Sequence, residues 1–303
     1  MRVRAIVNRG GGTLLKSGGD DLDERLRAAF AARGVDAEVS LVPSDEIAPA
    51  FAEAARAEGL DAVVAGGGDG TISCAAGRLA GTGRALGILP LGTLNHLARD
   101  AGIPTDLDEA VATVAEGAIR PLDVGEVNGR VFVNNSAIGL YPRMVRRREA
   151  LQQQLGRGKR HAMLSASLHA FRRFHRHRLT IDLHGLEAPL ETPLLFVGNN
   201  RYEMNLLSLG TRTALDGGEL CLYAPLVRSR LHFFGLGVRT LLGLGRQSDF
   251  VTLCGVEEAT VRSRRPLLTV SIDGETAILE TPLRYRIRAG ALRLIVPRAE
   301  PTP

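Results

Sequence analysis

The run Asp61-Ala62-Val63-Val64-Ala65-Gly66-Gly67-Gly68-Asp69-Gly70-Thr71 is an apolar strand that empties into glycines, and a helical pattern follows it through Leu79. Glycines let a backbone approach phosphate closely, and a helix N-terminus adds N–H groups and the positive end of a dipole. No Gly-Lys-Ser/Thr follows, so the run is not a P-loop, and its glycine spacing is not the dinucleotide fingerprint. A tight strand-to-helix turn capped by Asp69 is the plainer account. An Asp standing before Gly-Thr favours phosphate binding over it.

Working outward, the same grammar holds on both sides. Val3 to Asn8, Ala37 to Val42 and Ala85 to Leu89 read as strands, and Asp21 to Arg33 and Ile47 to Glu58 as helices. Leu89-Pro90-Leu91-Gly92-Thr93-Leu94-Asn95-His96 opens a further helix, which Thr93 would cap unless Gly92 and Thr93 form a second phosphate-facing wall. Alternation of this length predicts a parallel sheet with helices on both faces over residues 1–120. After Ile119 short β-branched strands take over, with Asn128-Gly129, Asp216-Gly217 and Asp273-Gly274 as hairpin signals. The expected fold class is α/β: an N-terminal parallel-sheet nucleotide-binding domain, then a mainly antiparallel β domain over 121–303 with helical insertions near 142–178 and at Ser229 to Leu242.

Composition narrows the setting. A chain of 303 residues with 45% hydrophobic content is long enough for two cores. The N-terminal residues read as a strand running into glycines, so no signal peptide is expected, and the most apolar run, Leu231 to Leu244, is broken by Arg239. Cys74, Cys221 and Cys254 stand far apart, which predicts no disulfide framework and a reduced, cytoplasmic protein. The net charge of +5 is uneven: ten Arg and one Lys against Glu149 give Pro142 to Arg178 a charge of +10. The pI near 9.5 is therefore local in origin. The arm carries only Phe171 and Phe174 for base stacking, so nucleic acid is not the expected partner.

These motifs resemble the diacylglycerol kinase catalytic-domain family, which includes bacterial lipid kinases and the sphingosine kinases. The resemblance rests on Asn8 with Gly10-Gly11-Gly12, Gly67 to Thr71, Leu91-Gly92-Thr93-Leu94-Asn95, Asn199, Asp216-Gly217 and Asp273-Gly274-Glu275, in family order. It implies transfer of the γ-phosphoryl group of ATP to a lipid hydroxyl, with Mg2+ and a place in phospholipid metabolism. Asn8, Arg9, Gly10, Gly11 and Gly12 would line the nucleotide's phosphate side. Gly67, Gly68, Asp69, Gly70, Thr71 and Ile72 would hold the phosphates, with Thr93 completing the wall. Thr213, Asp216 and Gly218 fall where the family holds a structural Mg2+. Glu275 falls at the general base and Asp273 near the catalytic metal, and Asp69 joins them as a catalytic candidate. The residues are expected to meet in a cleft between the domains.

Two departures qualify the match. Ser73-Cys74 replaces the Asn-Glu that commonly follows the core motif, and Val42-Pro43-Ser44 stands where a nucleotide-contacting Thr is usual. As plain turns, Asp216-Gly217 and Asp273-Gly274 need no ligand, and Asn199-Asn200 reads as a turn. Rival readings are a soluble-substrate kinase of the NAD-kinase kind and a non-catalytic membrane-binding protein using the basic arm. The expected partner is an anionic membrane surface presenting the lipid at the inner face. Diacylglycerol, monoacylglycerol, a sphingoid base, ceramide and an isoprenoid alcohol all stay open, as does self-association.

Overall fold

The computed structural model describes residues 1–10, 21–139, 176–202, 212, 214–227, 229, 231–233, 235–236 and 249–298. Gly11, Gly12, Thr213 and most of the basic arm lie outside the described residues. The chain divides into two compact units, Met1–Val124 with Arg288–Pro303, and Gly125–Ile287. The first expectation, a cut at 120 with everything later in the second domain, misses the return of the chain's last segment to the first unit.

The first unit is built on β1 (Arg2–Asn8), β2 (Asp36–Val42), β3 (Ala62–Gly67) and β4 (Ala85–Pro90), joined by α1 (Leu22–Ala31), α2 (Ile47–Arg56) and α3 (Asp69–Leu79). They pair in the order β2-β1-β3-β4, all parallel. The far half of a long last strand (Leu283–Val296) adds to β4, also parallel, through Arg293 and Leu294. Alternation divides the strands between two faces. Val3, Ala5 and Val7 pack with Leu26 and Phe30 of α1 and with Ala110, Val111 and Val114 of a later helix. On α2, buried Ile47, Phe51 and Ala54 recur at helical spacing, and Pro49 is tolerated because it lies in the first turn.

Two short helices follow β4. The sequence suggested a helix from Thr93; α4 begins at His96 and ends at Asp100. The later helix, α5 (Leu107–Glu116), was not anticipated, although its start is written plainly. Asp106 accepts the amides of Asp108 and Glu109 at 3.0 and 3.1 Å, and acids fill the first turn.

The second unit is antiparallel. After β5 (Ala118–Val127) come β6 (Arg130–Phe132), β7 (Asn135–Gly139), β8 (His177–Leu183), β9 (Leu186–Thr192), β10 (Leu194–Asn199), β11 (Leu220–Pro225), β12 (Phe250–Val256), β13 (Glu258–Ser263), β14 (Leu267–Ile272), β15 (Glu275–Glu280) and β16 (Leu283–Val296). One sheet runs β12-β11-β10-β7-β14-β15, and within the unit β9, β8, β13 and the near half of β16 make another ladder. Their inward residues share one core, including Phe132, Ile138, Leu179, Val197, Leu222, Val261, Val270 and Tyr285. Burial pushes the Tyr285 hydroxyl up, and it finds Ser136 Oγ at 3.2 Å.

Asn128-Gly129 and Asp273-Gly274 form two-residue hairpins with positive φ at both positions, as their composition predicts. His184-Gly185 does the same without having been foreseen. Asp216-Gly217 closes no hairpin; it leads irregularly into β11. The expectation about cysteines fails: Cys221 of β11 and Cys254 of β12 form a disulfide, with Cα atoms 4.1 Å apart. Among the described residues no helix is long and apolar enough to cross a membrane.

Candidate functional site

In the first unit the strand order reverses between β1 and β3, and the carboxyl ends of such neighbours are where open α/β sheets take ligands. Asn8, Gly67 and Pro90 are the last residues of β1, β3 and β4, and the register sets Gly67 opposite Pro90. The two glycine loops expected from sequence are therefore side by side. A Cβ on Gly92 would lie 2.5 Å from Gly68 Cα, so the loops touch backbone to backbone. A Cβ on Gly67 would meet Thr71 Oγ1 at 2.5 Å, which fixes how tightly the chain turns into α3.

Polar side chains lock this arrangement. Asn8 Nδ2 donates to Thr71 Oγ1 at 3.0 Å, while Asn8 Oδ1 accepts Gly10 N and Ser44 Oγ, each at 2.9 Å. Arg9 N bonds Val42 O at 2.9 Å. Ser44, where a family contact was missing, thus belongs to the same cluster. Only the fold could reveal it, because β1 and β2 pair in parallel up to Asn8 and Val42.

Asp69 does not cap its own helix. Its carboxylate accepts His96 N at 2.7 Å and Asn95 N at 3.1 Å, so the first loop caps the helix of the second. Asn95 is buried at φ 50°, donates to Pro90 O and Gly92 O, and accepts Gly92 N. Thr93 is not the cap, and its side chain is exposed. Gly68, the N-cap of α3, has no side chain to cap it, and Ile72 N is already spent on Gly68 O at 3.1 Å, so a prospective anion would meet the earlier amides of the first turn, Gly70 among them.

In the second unit Asp273 and Glu275 flank the hairpin between β14 and β15. The Asp273 carboxylate accepts Val133 N and Asn134 N at 2.8 Å and Asn135 N at 3.0 Å. The other side of that 133–135 turn is held as firmly. Asn199 Nδ2 donates to Val133 O at 2.8 Å, Tyr202 Oη to Asn134 O at 2.8 Å, and buried Arg212 to Val133 O and Asn134 Oδ1. Asn199 ends β10 inside this network, and the chain bends at Asn200, at φ 66°, where the sequence suggested a turn. Neither the 133–135 turn nor Arg212 was legible, since their partners lie 66 to 140 positions away. Glu275 is exposed at the start of β15.

Asp216 is exposed, and among the described residues no partner engages its carboxylate. Gly218 follows at φ 68°. A solvent-facing carboxylate is the hard-oxygen chemistry that Mg2+ accepts, so Asp216 fits such an ion. Thr213 lies outside the described residues.

Residues 2–127 match the diacylglycerol kinase catalytic domain. A protein of Pseudomonas aeruginosa strain PAO1 described as "Probable lipid kinase YegS-like" is 34% identical over 294 residues, 92% of each chain. A protein of Pseudomonas syringae pv. tomato with the same description is 31% identical over 305 residues, covering 95% of this chain and 94% of its own. The crystal structure of a diacylglycerol kinase from Bacillus anthracis str. Sterne superposes with a TM-score of 0.68 at 19% identity, covering 97% and 96% of the two chains. The first relative's similarity runs through both units, well beyond the glycine loops, and the chain belongs to the diacylglycerol kinase catalytic-domain family.

Proposed function

We propose that the protein is a lipid kinase that transfers the γ-phosphoryl group of ATP to the hydroxyl of a lipid such as diacylglycerol. The observation that carries this reading is the pair of glycine loops locked together at the ends of β3 and β4, beside the uncapped start of α3. Phosphoryl transfer asks little covalent work of a protein; positioning and neutralisation of charge dominate. In this reading the amides of Gly67 to Thr71 hold the phosphates, with Asn8, Gly10 and Thr93 alongside. Glu275 takes the proton of the lipid hydroxyl as attack begins, general-base help worth roughly 10²–10⁴-fold. Mg2+, when bound, spreads the charge of the phosphates, and Asp216 with the Gly218 carbonyl would hold a structural ion.

The test is phosphate transfer from labelled ATP to a panel of lipids, read by thin-layer chromatography. Labelled product is expected with at least one lipid. Glu275→Gln should remove nearly all turnover and leave nucleotide affinity within a few-fold. A mutant that turns over like the wild type would take Glu275 out of the mechanism, and a panel without product would sink the reading.

The arm at +10 between Pro142 and Arg178 supports docking on anionic lipid at the cytoplasmic face, each basic residue contributing about 1 kcal/mol near the surface. Vesicle binding should require anionic lipid and weaken steeply with salt, since screening acts over about 8 Å at physiological ionic strength. Replacing Arg146, Arg147, Arg172 and Arg173 with Gln should raise the apparent KM for vesicle lipid and spare that for ATP. Sedimentation indifferent to lipid charge and salt would assign the arm another purpose.

A further inference from the structure

We propose that Cys221, Cys254 and Glu219 form a thiol-redox centre whose reduced state binds a thiophilic divalent metal ion, with Zn2+ as the natural probe. The cysteines are 33 positions apart and meet because β11 and β12 are antiparallel neighbours. The register between them slips from Leu220↔Val256 to Leu222↔Leu253, which brings Cys221 against the Cys254–Gly255 kink. Glu219 immediately precedes β11, and the ligand atoms of all three residues lie within 4.8 Å of one another. Cys221 is fully buried, and Cys254 and Glu219 are partly exposed, so the centre has an inner wall and an open side. The carboxylate is already fixed beside the sulfurs: Glu219 Oε2 accepts Gly255 N at 2.6 Å, and Oε1 lies 3.5 Å from Arg201 Nε. Gly255 stands at φ 75°, a kink that suits glycine and turns its amide to that oxygen.

The chemistry balances through a dithiol reductant. One of its thiolates attacks a sulfur of the bridge and expels the other as a thiolate. Its second thiol resolves the mixed disulfide, leaving two cysteine thiols and an oxidised reductant. Two electrons and two protons have passed to the protein. A divalent ion then displaces both thiol protons and gains two thiolates and one carboxylate oxygen, with water completing four-coordination. Thiolates select a soft ion such as Zn2+ over Mg2+, so this site would not compete for the cation that suits Asp216. The two places are nonetheless joined. Glu219 N donates to Asn200 Oδ1 at 3.3 Å and Glu219 O accepts Asn200 N at 2.9 Å, directly beyond Gly218. The inference stands whether or not the substrate is a lipid.

The test uses the full-length protein. Alkylation and mass spectrometry without reductant should leave Cys221 and Cys254 unlabelled, and both should label after dithiothreitol. Reduced protein, freed of reductant under nitrogen and titrated with Zn2+ against a chromophoric chelator, should take up one ion that oxidised protein does not. Removing one ligand, by Cys254→Ser or Glu219→Gln, should weaken uptake by about tenfold or more, whereas Cys74→Ser should leave it unchanged. Co2+ should give thiolate charge-transfer absorption in reduced wild type only. The oxidised wild type serves as the control if a variant fails to fold. Labelling of Cys221 and Cys254 without reductant would overturn the bridge, and equal Zn2+ affinity of oxidised and reduced protein would overturn the metal site.

Discussion

Asp69 and Asp273 both commit their carboxylates to backbone amides, and the consequences differ in kind from those of a free catalytic acid. Asp69 spans two loops through Asn95 N and His96 N, and Asp273 grips three successive amides of the 133–135 turn. Hydrogen bonds to a charged group contribute about 1.5–3 kcal/mol each, and an abandoned amide keeps its desolvation cost unless water reaches it. Asp273→Ala should therefore cost about 2–4 kcal/mol by urea denaturation, and Asp273→Asn less, because one acceptor oxygen survives. The loss should be the same with and without Mg2+. A loss seen only in the presence of Mg2+ would return Asp273 to the metal and leave the amides a minor matter.

Packing of whole elements sets a second kind of limit. β4 meets α5 at Gly87, where a Cβ would stand 2.9 Å from Val114 Cγ2 and 3.2 Å from Val64 Cγ2. Gly87→Ala should cost about 1–3 kcal/mol by overpacking, and Val114→Ala in the same chain should recover part of it. Thermal melts of the single and double variants check this, and a single variant as stable as wild type would show that α5 can slide. At this scale the first unit, α5 apart, was readable because its elements carry their own period: β3 and its glycines, or Ile47, Phe51 and Ala54 on α2. The second unit was readable mainly where turn chemistry marks it, at Asn128-Gly129 and Asp273-Gly274. Strands β7, β9, β12, β13 and β15 were missed because they owe their place to neighbours. Ala259 and Val261 alternate on β13, yet nothing local says they pair with Tyr285 and Leu283 or with Ile181. The same blindness hid the disulfide, which depends on pairing and on a register slip. Of the candidate site, the two glycine loops were legible as motifs, whereas Ser44, Arg212 and the 133–135 turn came into view only with the fold.

For the whole molecule the decisive fact is that both unit boundaries fall inside strands, at Val124–Gly125 in β5 and Ile287–Arg288 in β16. The first unit needs its returning segment: Leu292, Leu294 and Ile295 are almost wholly buried, and Ala291 O accepts Gly81 N at 2.7 Å. A fragment of residues 1–124 should lack a cooperative melt. The same fragment carrying residues 288–298 through a Gly/Ser linker should regain one, since flexible closure costs little with added length. Circular dichroism on both settles the matter, and cooperative unfolding of the short fragment would show the last strand to be dispensable.

That interleaving has a consequence for the ribosome. Domains usually fold as they emerge, the N-terminal one first. Here the earlier-made unit must wait, its sheet lacking an edge, until the final strand leaves the exit tunnel, while the later-made unit can finish first. A stalled or truncated translation product would display the open flank of β4, which makes it a natural client for chaperones and proteases.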